Sequence, residues 1–184
     1  MISEADEKPL LAIARQALVA RVVGQRPPYI VCVGPLALRC GAFVSLHKGD
    51  KLRGCLGRVT TSSPLGDTLT YLGGAVADSD PRFPPVSHDE LPWLHLEISL
   101  LTPERPVSSV EEITVGQHGV IIEQGRSRGL LLPQVATELG WDRETFVAHA
   151  CLKAGLPHDA WKTGAHILVF EARVFGERAA AAAS

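Results

Sequence analysis

A chain of 184 residues, 46% apolar and 21% charged, is long enough for one sizeable domain or two small lobes and has the balance of an ordinary globular protein. A formal net charge of −2 excludes the strongly basic footprint of a nucleic-acid binder, and no apolar run approaches the ~18 residues of a membrane span. There is no secretory pattern at the N-terminus. The four cysteines, Cys32, Cys40, Cys55 and Cys151, are irregularly spaced without a C-x-x-C pair, so reduced thiols in a cytoplasmic protein are expected.

In chain order, the spacing of Leu10, Ile13, Ala14, Ala17, Leu18 and Val22 predicts a helix over about 9–23, opened by Pro9 and closed by Gly24. Pro27 and Pro28 then impose an extended stretch. Residues 42–47 and 51–57 read as two strands joined by Lys48-Gly49-Asp50. Ser63-Pro64 starts a second helix that turns Leu65, Leu69, Leu72 and Val76 inward and ends near Asp78. Its Gly73-Gly74 pair suggests close packing against a neighbour. A loop from Asp78 to Pro85 is stiffened by Pro81, Pro84 and Pro85.

Leu94–Leu101 alternates, with Leu94, Leu96, Ile98 and Leu100 facing one way and His95, Glu97 and Ser99 the other. A second hairpin joins 120–123 to 129–132 around Gly125. Pro133 opens a short helix that Gly140 closes, and Asp142 caps another that runs to about Ala154. His166 to Phe175 is a long strand, with Leu168, Phe170, Ala172 and Val174 sharing a face. The alanine run of 179–184 has nothing to bury and is expected to fray. Hairpins interleaved with helices indicate an α+β fold.

The hexapeptide Leu52-Arg-Gly-Cys-Leu-Gly57 resembles the signature of the AMMECR-one domain family, known as AmmeMemoRadiSam system protein A. Asp80-Pro-Arg-Phe-Pro-Pro85, Glu97-Ile-Ser-Leu-Leu-Thr-Pro103, Gly116-Gln-His-Gly119, Gly129-Leu-Leu-Leu-Pro-Gln-Val135 and Lys153-Ala-Gly-Leu-Pro157 with Trp161 continue the likeness, in order, from about residue 8 to residue 178. The resemblance implies a single domain over 1–178 with two lobes, each an antiparallel sheet flanked by helices, and a cleft between them. The large lobe would be about 1–103 and 165–178, with the small lobe, about 104–164, inserted. The signature would line the cleft, and Memo-like and radical S-adenosylmethionine proteins are the implied partners. No activity comes with the family.

The residues themselves allow an enzyme-like site. Cys55 is the candidate nucleophile, with Arg53 two residues away on a strand as a cation for its thiolate. Gly54 and Gly57 would let backbone approach a ligand, Asp80 and Arg82 would form a fixed acid and an anion clamp, and Glu97 would serve as a base. His149 and Lys153, four apart on a helix, would contribute from the opposing lobe. The competing reading of each is structural: Cys55 as a buried small hydrophobe, the glycines as a bulge, Asp80 as a turn cap, Glu97 as part of a solvated face. A non-catalytic adaptor, holding a protein segment in the cleft, is the alternative function. No metal is expected, because the seven histidines form no H-x-x-x-H or H-E-x-x-H pattern. No cofactor is expected, for want of a phosphate-cradling or dinucleotide glycine loop. Trp93, Trp141 and Trp161 are read as packing residues.

Overall fold

A computed structural model of the protein describes residues 2–177, so the expected frayed tail of 179–184 lies outside the described residues. The described residues divide into two compact units, one holding 2–100 together with 173–177, the other Leu101–Ala172. Each has its own apolar cluster.

In the first unit, helix α1 (Glu4–Val22) starts five residues before Pro9. The apolar periodicity missed its first turn because that turn is polar. Ser3 and Asp6 form a capping box, and Glu4, Asp6 and Glu7 sit at the positive end of the helix dipole. Pro9 is therefore an interior residue, with no N–H to give to the turn before it. Leu10, Ile13, Ala14, Ala17 and Leu18 are buried as the spacing predicts.

Strands β1 (Ala42–Lys48) and β2 (Lys51–Arg58) form a hairpin about Gly49, whose φ of 59° suits the turn. Helix α2 (Leu65–Ala75) follows. Its N-cap is Pro64 and it stops at Ala75, three residues short of the expected end. Leu65, Leu69, Leu72 and Val76 are all buried. Gly73 lies against α1 so closely that a Cβ would come within 2.5 Å of the Ala14 carbonyl oxygen. Strand β3 (Leu94–Leu101) alternates as expected and pairs antiparallel with β1, which lies between β2 and β3. One face of these strands, carrying Ala42, Val44, Leu46, Leu94, Leu96 and Ile98, packs in a common core with α1 and α2. The returning chain is tied in by charge. Arg173 pairs with Glu7, and Glu177 pairs with Arg15 while accepting the Leu96 N–H at 2.8 Å.

The second unit is a sheet and two helices. Strand β4 (Arg105–Val107) has no counterpart in the sequence expectations. Strands β5 (His118–Gln124) and β6 (Ser127–Leu131) form the predicted hairpin, with Gly125 at φ 61°. Helices α3 (Pro133–Glu138) and α4 (Arg143–Lys153) follow, and the Asp142 side chain caps α4 by accepting the Thr145 N–H at 2.8 Å. Strand β7 (His166–Gly176) pairs antiparallel with both β4 and β5. Its even-numbered residues do share a face, but the two cores take Ile167, Val169 and Phe175 instead. Charged Glu171 and Arg173 interrupt that odd-numbered face, which hid it from an apolar count. Phe146, Val147, Ala150 and Cys151 are buried together.

Antiparallel pairing and separate helices make this an α+β protein. Among the described residues no helix is long and apolar enough to cross a membrane.

Candidate functional site

Whether Cys55 faces the core or the polar side depends on a single extra residue. The tight turn alone, pairing Lys48 with Lys51 and His47 with Leu52, would put Ser45 opposite Gly54. Instead Leu46 pairs with Gly54 and Ser45 with Cys55, so Arg53 is the additional residue of a β-bulge. The shift turns Gly54 to the core, where a Cβ would stand 3.1 Å from the Val76 carbonyl oxygen. Cys55 turns to the polar face, half-buried, and its Sγ accepts a hydrogen bond from Ser45 Oγ at 3.2 Å.

On the other side of β1, Ser45 pairs with Glu97. A thiol, a hydroxyl and a carboxylate therefore stand in one cross-strand row. The next row holds His47 and His95, stacked with ring centroids 5.2 Å apart. In the row on the opposite side, the Phe43 ring lies where a Cβ at Gly57 would be. Gly54 and Gly57 thus make room for protein atoms, the first for backbone and the second for an aromatic ring.

The Asp80 carboxylate fixes the backbone of the nucleophile candidate. Asp80 is 4% exposed and accepts the Cys55 N–H at 2.8 Å, the Arg82 N–H at 3.1 Å, and two guanidinium N–H groups of Arg82 at 2.9 and 2.8 Å. Hydrogen bonding by Arg82 holds its carboxyl far below the usual carboxylate range, against the cost of burial. Arg82 Nη2 also lies 3.5 Å from the Cys55 carbonyl oxygen. Asp80 is therefore both a turn cap and a partner of an ion pair, and one loop residue couples the strand at Cys55 to a guanidinium.

Arg53 does not serve Cys55. The bulge sends it to Glu90, with Nε–Oε1 and Nη2–Oε2 at 2.9 and 3.0 Å, and to the Pro85 carbonyl. Arg53 holds the Glu90 carboxyl down to about 2, helped by the Ser87 N–H. The expected sharing of a face by Arg53 and Cys55 assumed a straight strand, and the bulge removes that assumption. Arg58 lies over the Tyr71 ring.

His149 and Lys153 are exposed on α4, in the second unit, and His149 stacks on Trp141 with centroids 3.9 Å apart. His118 is a satisfied core histidine whose Nδ1 accepts the Thr114 N–H at 3.0 Å. Among the described residues no cluster of three His, Cys, Asp or Glu side chains is placed to hold a metal ion. Trp141 and Trp161 pack against the second core, whereas Trp93 is 70% exposed, contrary to its expected packing role.

The sequence model of the AMMECR1 family matches residues 11–175. The chain belongs to the AMMECR1 family. Protein MK0488 of Methanopyrus kandleri is 41% identical over 91% of this chain and 86% of its own length. A protein of Methanothermobacter thermautotrophicus is 40% identical over 96% of both. The crystal structure of the uncharacterized protein PH0010 from Pyrococcus horikoshii is similar with a TM-score of 0.77 and 35% identity, covering 97% of this chain and 94% of that one.

Within this AMMECR1 chain, sequence reasoning missed Ser45, Glu90 and the two stacked histidines. Glu90 had a readable signal, because Ser87 and Glu90 have the spacing of a capping box and form one. Ser45 had none without the bulge.

Proposed function

We propose that the polar face of the first unit's sheet is a thiol-centred reaction site, at which Cys55 attacks an electrophilic carbonyl carbon of a small substrate. The observation that carries this reading is the row Cys55–Ser45–Glu97, in which a hydroxyl donates to the thiol sulfur and stands in register with a carboxylate. A thiol reacts as thiolate, so it needs a route for its proton and a donor for the resulting charge. In the step proposed, the Ser45 hydroxyl turns from the sulfur toward Glu97, gives its proton to that carboxylate as it takes the proton of Cys55, and the sulfur electron pair forms the S–C bond. The displaced carbonyl pair settles on oxygen, where the Arg82 guanidinium supplies positive charge. Asp80 holds the strand and the guanidinium in place. Gly54, packed in the core, and Arg53, bound to Glu90, support the framework without touching substrate.

The two-lobe cleft implied by the family resemblance belongs to the same proposal, as do contributions from His149 and Lys153, a cytoplasmic setting, and Memo-like and radical S-adenosylmethionine proteins as partners. An adaptor that merely holds a protein segment would have no use for a reactive thiol.

The experiment is Cys55 labelling by iodoacetamide at pH 7 in a variant with Cys32 and Cys40 replaced by alanine, Cys151 being fully buried. We expect labelling about tenfold faster than that of free cysteine, slowed roughly five- to tenfold by Ser45→Ala and by Glu97→Gln. A rate at or below that of the free amino acid, moved by neither substitution, would leave Cys55 as a packing residue and the adaptor as the better reading.

A further inference from the structure

We infer that the substrate of this site carries an anionic group, a carboxylate or its chemical equivalent, which the outer edge of Arg82 grips beside Cys55. The inference rests on the thiol-centred reading above and adds the charge of what binds there.

Of the arginines that the sequence places near the thiol, Arg53 is 13% exposed and spent on Glu90. Arg82 differs in burial and in geometry. Its side chain is 57% exposed, while the carboxylate that orients it, Asp80, is 4% exposed. Asp80 takes Nε and Nη2, and Nη1 is not part of that ion pair. The guanidinium plane is further steadied over the Phe83 ring, 5.5 Å from its centroid. A planar fork fixed on one edge by a buried acid, with Nη1 outside these contacts, is pre-organised for a second, single-point anion contact. Little side-chain entropy remains to be lost when that contact forms, because the Asp80 pair has already ordered the arginine.

Position connects this fork to the chemistry. Arg82 Nη2 is 3.5 Å from the carbonyl oxygen of Cys55, and Asp80 binds the N–H of the same residue. The backbone of the thiol residue and the guanidinium thus hang from one buried carboxylate, which sets an anion on Arg82 beside Cys55. The neighbouring groups set the rest of the recognition. Phe43, lying over Gly57, offers an apolar wall one row from the thiol, and the Ser45 hydroxyl offers a polar contact. A short acid with an electrophilic carbon one or two bonds from its carboxylate matches this layout.

The test uses two alkylating agents that differ in charge and little in size, iodoacetate and iodoacetamide, on the full chain with Cys32 and Cys40 replaced by alanine. In both reactions the sulfur electron pair of Cys55 forms the S–C bond, iodide leaves with the C–I pair, and the thiol proton is released to buffer. We expect the rate ratio of iodoacetate to iodoacetamide at Cys55 to exceed that for free cysteine. Arg82→Gln should lower it about three- to tenfold, the size of one charge contact at a partly exposed site. Added salt should lower it in the parent and leave it nearly unchanged in Arg82→Gln. A ratio that Arg82→Gln does not move overturns the inference, whatever the absolute rates. Slow alkylation by both reagents with an Arg82-dependent ratio would instead count against the reactive thiol and keep the anion contact. The far-ultraviolet dichroism and melting of Arg82→Gln, compared with those of Arg82→Lys, show whether a change in ratio comes from lost structure. Rescue of the ratio by lysine is the expected result.

Discussion

Arg53 and Cys55 stand two apart in the sequence, yet one is bound to a carboxylate of the Pro85–Trp93 segment and the other faces a serine across the hairpin. The bulge that separates them makes a direct prediction. Arg53→Ala should cost about 2 kcal/mol of stability, since it strips a half-buried carboxylate of its partner. It should leave the iodoacetamide rate at Cys55 within about twofold of the parent, because its cation is not the thiol's. A tenfold fall in that rate, at a temperature where the variant is folded, would restore Arg53 to the site. Four residues that the sequence singles out do become neighbours: Cys55 and Glu97 flank Ser45 across the strands, and Asp80 joins Cys55 to Arg82. What could not be read was which face of β2 each residue takes. A one-residue register shift inverts every side chain beyond it, and the glycines allow a bulge without saying which residue is the extra one. The glycines on either side of Cys55 admit two readings in the sequence, an opening for a ligand or a strand bulge, and a bulge lies beside Gly54. The openings are filled by Phe43 and approached by the Val76 carbonyl, contacts that need the partner strand and helix to be placed first.

At the scale of elements, apolar spacing located the helices and hairpins and misjudged the ends. The spacing gives α1 too late a start because its first turn is polar and held by caps and charge, forces that leave no apolar period. The spacing runs α2 too far because Val76, inward-facing as predicted, sits just past the helix as its C-cap. The Gly73-Gly74 pair gives a sharper comparison, since the two residues are adjacent and differ in what lies above them. At Gly73 a Cβ would meet the Ala14 carbonyl oxygen at 2.5 Å and its Cα at 2.8 Å, and backbone cannot yield without parting α1 from α2. Gly73→Ala should therefore destabilise by roughly 2–4 kcal/mol, in the range of an overpacked core. At Gly74 the nearest atom is the Ala17 carbonyl oxygen at 3.6 Å, an ordinary contact. Gly74→Ala should be neutral or stabilising by up to about 1 kcal/mol, because alanine loses less backbone entropy in a helix. Urea melts of the two variants decide it, and equal destabilisation of both would mean that the helices do not approach as closely as the structure has them.

Across the whole molecule, the ionised groups that folding favours are unevenly distributed. In the first unit Asp80 and Glu90 are little exposed and tied to arginines, and Asp78 is lowered by Arg21. In the second unit the carboxyl whose ionised form is favoured is Asp142, a fully exposed helix cap. A carboxylate whose value is lower in the folded state than in the unfolded chain stabilises the fold above its unfolded value, and that contribution is lost as pH falls. For Glu90, lowered from 4.5 to about 2, the loss starts near pH 4.5 and continues to about 2, amounting to at most about 3 kcal/mol. For Asp80 it starts near its unfolded value, about 4, and continues further down. Acid should therefore loosen the first unit before the second. Hydrogen exchange followed by mass spectrometry between pH 7 and pH 3, corrected for intrinsic rates, should show peptides from β2, α2 and residues 80–93 losing protection at a higher pH than those from β5 and α4. Glu90→Gln should be less stable at pH 7 and show a shallower fall below pH 4.5, because one of the titrating groups is gone. Loss of protection in α4 at the same pH as in α2, or before it, would show that acid stability is set outside these two arginine pairs. The order matters for the site, because the Asp80 bonds that anchor Cys55 and Arg82 are the same bonds that acid removes.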